Sequence, residues 1–276
     1  YVGELEERYG TKNFEKLLSK MNDREYKHLM DLQSKSPLYN KNAPLTKTGK
    51  SDIITVPKNS ADSKYNEILK SLNINKVDYN PVESHKKLLT ESEIIKAIAG
   101  GDLTKGSCAS VGLAYIGQKQ GLNVLDFRDG TSRQVFAGSF NLHRLSEMQG
   151  IKALRAKGAC SLTVGNRLLK QCEVGKEYYL CVGKHAAIVK KTPEGVLQYL
   201  ELQSSTRSGW TNFDGNPRYT LNQRFGCTQK SSASELYDFM IDIDESDFTT
   251  DDFKSLLGFI NTADDKQRKG SYGTIK

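Results

Sequence analysis

Of the five cysteines in the chain, Cys108 stands in the string Lys105-Gly106-Ser107-Cys108-Ala109-Ser110, whose residue types suit nucleophilic thiol chemistry. A thiol attacks well only as a thiolate, so its ordinary pKa of about 8.5 has to be lowered by an imidazolium or by the positive end of a helix. Ser107 can cap a helix that Cys108 opens, where unpaired backbone N–H groups favour negative charge. Gly100-Gly101 and Gly106 give the preceding loop the freedom to bring backbone N–H groups up to a substrate carbonyl as an oxyanion hole. The competing explanation is that Cys108 packs with Val111, Gly112 and Tyr115 on its helix face.

The histidine partner is chosen by position. His28 lies in a charged helical stretch, His85 in a polar segment and His143 in Asn141-Leu142-His143-Arg144, each reading as surface. His185 follows Gly183-Lys184 and opens the apolar strand Ala186-Ala187-Ile188-Val189, with small neighbours that leave room before the ring. Thr192-Pro193-Glu194-Gly195 is a turn signal; a three-residue loop with Gly195 left-handed pairs Thr192 with Val196 and sets His185 opposite Gln203. A turn centred on Pro193 sets it opposite Glu201 instead. In either register the imidazole shares a face with Glu201 and Gln203, because side chains two apart point the same way. Glu201 is the candidate to hold the ring's tautomer and stabilise an imidazolium, and Gln203 is the neutral alternative.

A helix-borne cysteine, then a strand-borne histidine, then Tyr199-Leu200-Glu201-Leu202-Gln203 resembles the papain-like fold toxins and effector deamidases of bacteria. The resemblance covers residues 88 to 212. It implies a covalent cysteine hydrolase or transferase acting on a protein through Cys108, His185, Glu201 and Gln203, without cofactor or metal. It also implies a phage-borne or secretion-delivered chain with a carrier protein and a cognate immunity protein. Two departures stand out: the acid is Glu201 where the group usually has Asp, and Asp102 occupies the place, six before the cysteine, where papain has its oxyanion glutamine. The second argues against papain-type peptide cleavage and leaves deamidation or transfer at a glutamine side chain. The rival from another class is a non-catalytic structural or interaction protein that keeps the fold.

The elements that must position these residues follow from periodicity. Phe14, Leu17, Leu18 and Met21 predict a helix over residues 13–32, and residues 34–60 read as a polar linker. Tyr65, Ile68, Leu69 and Leu72 have helical spacing, as do Ile94, Ile95 and Ile98 after the start signal Thr90-Glu91-Ser92-Glu93. A helix from Cys108 to Gln120 ends at Gly121, and a strand is expected over Asn123 to Phe127. The segments Glu177 to Val182, His185 to Lys190 and Val196 to Gln203 form the sheet. Two further helices are expected after Ser232, carrying Leu236, Phe239 and Met240, then Phe253, Leu256, Leu257 and Ile260. The expected class is α+β, a papain-like core with a catalytic helix on an antiparallel sheet. The expected division is a helical region at 1–86, the catalytic domain at 87–231 and a helical region at 232–276.

Composition bounds the rest. A net charge of +7 arises from 40 basic and 33 acidic residues without a long basic run, and aromatic and basic residues do not interleave as in RNA-binding sheets, so nucleic acid is not an expected partner. No apolar stretch is long enough to span a bilayer. Five cysteines without a C-x-x-C pair fit free thiols and action in a reducing compartment such as a target-cell cytoplasm. Asp242-Ile243-Asp244 resembles the start of a calcium loop, but Asp247 and Phe253 occupy the positions that need Gly and Glu. Trp210 reads as core, and Arg128 and Arg133 as an exposed charged turn.

Overall fold

The computed structural model describes residues 57–99, 108–124, 135–203, 209–230 and 238–261. The helix expected at 13–32, most of the linker, residues 125–127 of the expected strand, Arg128 and Arg133 lie outside these residues. So do Gly100-Gly101, Asp102, Gly106 and Ser107.

Helix α1 (Ser63–Ile74) starts at Asp62, whose carboxylate accepts the N–H groups of Lys64 and Tyr65, and it buries Tyr65, Ile68, Leu69 and Leu72. Strand β1 (Glu83–Ser84) precedes α2 (Glu91–Ile98), which opens on a capping box between Thr90 and Glu93 as its sequence predicts. Helix α3 (Cys108–Lys119) is buried along most of its length and gives way at Gly121, φ +79°, to β2 (Leu122–Asn123), the antiparallel partner of β1. Then come α4 (Ser139–Ser146), β3 (Ala153–Ala156) and α5 (Ser161–Leu169). Strands β4 (Glu177–Val182), β5 (His185–Lys191), β6 (Leu197–Glu201) and β7 (Gly209–Asn212) follow, then α6 (Pro217–Gln223), β8 (Asp238–Asp242) and α7 (Asp251–Ile260).

Six strands form one antiparallel sheet in the order β3-β8-β4-β5-β6-β7. Alternation along the strands sends Tyr179, Cys181, Ala186, Ile188, Leu200 and Leu202 to one face, where α3 packs with α1, α2, α4 and α7. Tyr178, Leu180, Val182, Ala187, Val189 and Tyr199 go to the other face, covered by α5 and α6. The chain is thus a mixed helix-and-antiparallel-sheet protein of three layers. Helix α3 approaches the sheet closely: a Cβ at Gly112 would lie 2.5 Å from the Tyr179 ring, and the Tyr179 hydroxyl donates to the Ala109 carbonyl at 2.9 Å.

The stretch after Ser232 corrects the sequence reading. Phe239 and Met240 belong to β8, not to a helix, and β8 lies inside the sheet between β3 and β4. Phe239, Met240 and Ile241 are all buried, Phe239 and Ile241 on one face and Met240 on the other, so the short apolar run shows no alternation in its sequence and reads as one turn of an amphipathic helix. Strand β8 joins the same sheet as β4 to β7, and α7 packs into the same core as α3. Helix α1, within the region 1–86, packs into that core as well.

Candidate functional site

Two hairpins set the geometry at the end of the sheet. The β4–β5 turn consists of Gly183 and Lys184, so Val182 pairs directly with His185. Gly183 sits at φ +62°, and a Cβ there would meet the Phe225 carbonyl oxygen at 2.6 Å and the Cys227 sulfur at 2.8 Å. The Lys184 N–H donates to that same Phe225 carbonyl at 2.8 Å, which clasps the turn against the segment leaving α6.

At the other end of β5, Gly195 stands at φ +83°, its N–H donating to Thr192 O at 2.8 Å, and the Thr192 N–H donates to Val196 O at 2.9 Å. Lys191 pairs with Leu197 and Val189 with Tyr199, so the register is the one that, continued inward, sets His185 opposite Gln203.

That register places His185, Glu201 and Gln203 on the α6 side of the sheet. The imidazole meets the Phe225 ring edge-on at 5.1 Å between centroids. Glu201, 3% exposed, accepts Nε–H of Arg224 at 2.7 Å, Nη2–H of Arg224 at 2.9 Å and the backbone N–H of Gln203 at 2.9 Å. The Gln203 side-chain oxygen accepts Arg224 Nη2–H at 3.4 Å. Burial pushes the Glu201 carboxyl up, but the hydrogen bonds and charge of Arg224 outweigh it and hold the group below the usual carboxylate range. Burial lowers the pKa of His185, and Arg224 beside it lowers it further, to about 3 against a smaller opposing pull from Glu201. The ring is neutral at physiological pH.

No family model, curated protein or solved structure matches this chain.

Cys108 takes its place at the first residue of α3 and is the only one of the five cysteines that is not buried. It packs against the α3-side core and lies within electrostatic reach of Cys181, one strand pair before the β4–β5 turn, and of Arg224. The sequence reading aimed the imidazole at the thiol. Alternation instead turns His185 to the face opposite α3, because Ala186, its neighbour, faces the helix. The structure thus joins His185, Glu201, Gln203 and Arg224 in one cluster, with Cys108 at the same end of the sheet across β5. Arg224 was not foreseen; an arginine at a helix C-terminus carries no motif.

His85, His143 and Trp210 also acquire partners, while His28 lies outside the described residues. His85 Nε2 lies 2.6 Å from Gln118 Oε1, and His143 stacks edge-on with Phe239 at 5.3 Å, so both are half-buried fixtures, not free surface. Trp210 packs on the α3-side core and donates Nε1–H to Glu91 at 2.9 Å, with Lys190 Nζ 3.7 Å above its ring. Among the described residues, no cluster of His, Cys, Asp or Glu could hold a metal ion, and no helix is long and apolar enough to cross a membrane. The Asp242 carboxylate instead accepts the N–H groups of Asp244 and Glu245.

Proposed function

We propose that the chain is a cysteine-dependent amide hydrolase or transferase acting on a protein substrate, with Cys108 as nucleophile. The observation that carries this is the singular exposure of Cys108 at the start of α3, where helix-end N–H groups favour a thiolate and the other four thiols are buried. The sulfur attacks a carboxamide carbon, the C–S bond forms, and His185 takes the thiol proton. Collapse of the tetrahedral intermediate breaks the C–N bond, and His185 returns the proton to the departing amine or ammonia. Water then cleaves the thioester to acid and thiol, or an amine takes the acyl group. His185 has to leave its edge contact with Phe225 to serve in this way, whereas Glu201 and Gln203 act through Arg224 and the ring.

A glutamine-containing peptide mixture, incubated with the wild type and with Cys108→Ser, is read by mass spectrometry. Amide-to-acid conversion marks a deamidase, fragments a peptidase, and products joined to an added amine a transglutaminase. The nucleophile assignment also requires iodoacetamide to label Cys108 at mildly acid pH faster than a free cysteine in a peptide. Equal rates, together with no Cys108-dependent product, would sink it.

The second reading, a non-catalytic structural or interaction protein, is favoured by one specific observation. His185 faces Phe225 in place of the thiol, which is what a ring used only for packing would do.

A further inference from the structure

We propose that the outer face of α5 and α6 is a nucleic-acid-binding surface that grips the phosphate backbone without reading sequence, an interaction independent of Cys108.

The face is assembled from two stretches that contain no Asp or Glu. Residues 153–172, which hold β3 and α5, carry Lys157, Arg167 and Lys170; residues 215–230, which hold α6, carry Arg218 and Lys230. Packing joins the two. Leu221 of α6 fills the space beside Gly165 of α5, where an added Cβ would lie 3.2 Å from it. The Thr228 N–H donates to Ser161 Oγ at 3.0 Å and the Leu162 N–H donates to Thr228 O at 3.2 Å, which lays residues 226–230 against the start of α5. Arg167 Nη1–H donates to Lys157 O at 3.2 Å, drawing the arginine over that segment. Lys184 joins from the β4–β5 turn, its side chain running along Gly226, where an added Cβ would meet it at 3.3 Å.

The charge on this face is not balanced locally. Among the described residues no carboxylate pairs with Lys157, Arg167, Lys170, Lys184, Arg218 or Lys230, whereas Lys64, Lys119, Lys152, Lys176 and Lys190 on other elements are all paired. The carboxylates beside this layer are engaged elsewhere: Glu201 by Arg224, Glu173 by Lys176 and Asp214 by the Thr220 hydroxyl. Arg218 is half-buried and the other five cations are exposed, so their fields add in front of the two helices.

The neutral side chains on the face point to the kind of partner. Tyr219 is 61% exposed, Asn222 and Gln223 are exposed, and Ser161, Thr163 and Asn166 are half-buried. With Lys and Arg, these are the side chains that contact phosphate and sugar. Every Leu and Val of α5 and α6 is buried, so the face lacks the aliphatic anchors that would favour a protein partner. The cations converge only when α6 packs on α5, which is why the linear sequence, without a long basic run, gives no sign of such a partner.

The experiment is fluorescence anisotropy of a labelled DNA duplex of about 20 base pairs, titrated over a series of salt concentrations with three forms of the full chain. These are the wild type, Lys157→Gln/Lys170→Gln/Lys230→Gln, and a control with the same charge change, Lys58→Gln/Lys86→Gln/Lys96→Gln. None of these lysine side chains is hydrogen-bonded among the described residues and all are exposed, so both variants keep the fold. The wild type is expected to bind with a Kd on the order of micromolar at about 100 mM salt. The first variant should lose about tenfold or more in affinity and flatten the log–log salt slope by about three, while the control stays within about twofold of the wild type. Equal losses in the two variants would reduce the effect to net charge and overturn the proposal. So would a wild type that leaves the duplex free at about 100 μM protein, or one that binds polyglutamate as tightly as the duplex, the mark of an acidic protein partner.

Discussion

The neutral state of His185 has a measurable cost in acid. The ring is held neutral to about pH 3 in the folded chain, against an ordinary value of about 6.5 in the unfolded one. Because the folded pKa is depressed, the stability gained from the neutral ring is fully present above about pH 6.5. It is lost progressively as pH falls toward about 3, as the unfolded chain takes up a proton that the folded chain refuses. The slope is about 1.4 kcal/mol per pH unit, so between pH 7 and 4.5 the loss is on the order of 2.5 kcal/mol.

Urea unfolding of the wild type and of His185→Gln at a series of pH values isolates this contribution, since the other carboxylates and histidines cancel in the difference. The two stabilities should converge by about 2.5 kcal/mol over that range, with the urea dependence unchanged. In parallel, the His185 ring resonances should hold still to below pH 5. Parallel stability curves, or a ring that titrates near 6.5, would refute the account of a half-buried imidazole beside a guanidinium.

Replacing Arg224 by Met strands the buried Glu201 carboxylate and should cost about 3 kcal/mol, most of it recovered in Arg224→Met/Glu201→Leu, as a double-mutant unfolding cycle would show. Gly183→Ala combines φ +62° with contacts at 2.6 and 2.8 Å, and should cost about 3 kcal/mol. Gly195→Ala, with φ +83° but nothing within 4 Å of its added carbon, should cost about 1 kcal/mol in the same unfolding assay; equal costs would show that the clasp at Phe225 is not tight.

Local signals carried much of the architecture. The capping box at Thr90, the glycine after α3 and the Pro193–Gly195 turn each specify a backbone geometry by their own chemistry, and the structure has all three. The start of α6 carries a comparable signal that the sequence reading passed over: Asn216 caps it and Pro217 occupies its first turn. What escaped was decided at long range. Strand β8 is recognisable only by its two neighbours, and strand β3 is a four-residue edge with exposed Leu154 and Arg155. At the site, the shared face of His185, Glu201 and Gln203 followed from counting two along a strand. Which of the two faces α3 would cover did not, since Ala186 and Ala187 are equally small. That choice is made by Tyr179 and Gly112, whose fit seats α3, and it turns the imidazole away from the thiol.

Strand β8 also governs when this protein can acquire its shape. It is the last of the described strands and yet lies between β3 and β4, so neither can hydrogen-bond to it until residues 238–242 have left the ribosome. The ladder from β4 to β7 is made of successive neighbours and can assemble as it emerges. Strand β3 must wait, holding its backbone groups open through the synthesis of everything between Ala156 and Asp238. Completion of the sheet is therefore a late, non-local step with a large loop to close, and a nascent chain halted before β8 presents two unpaired edges at once.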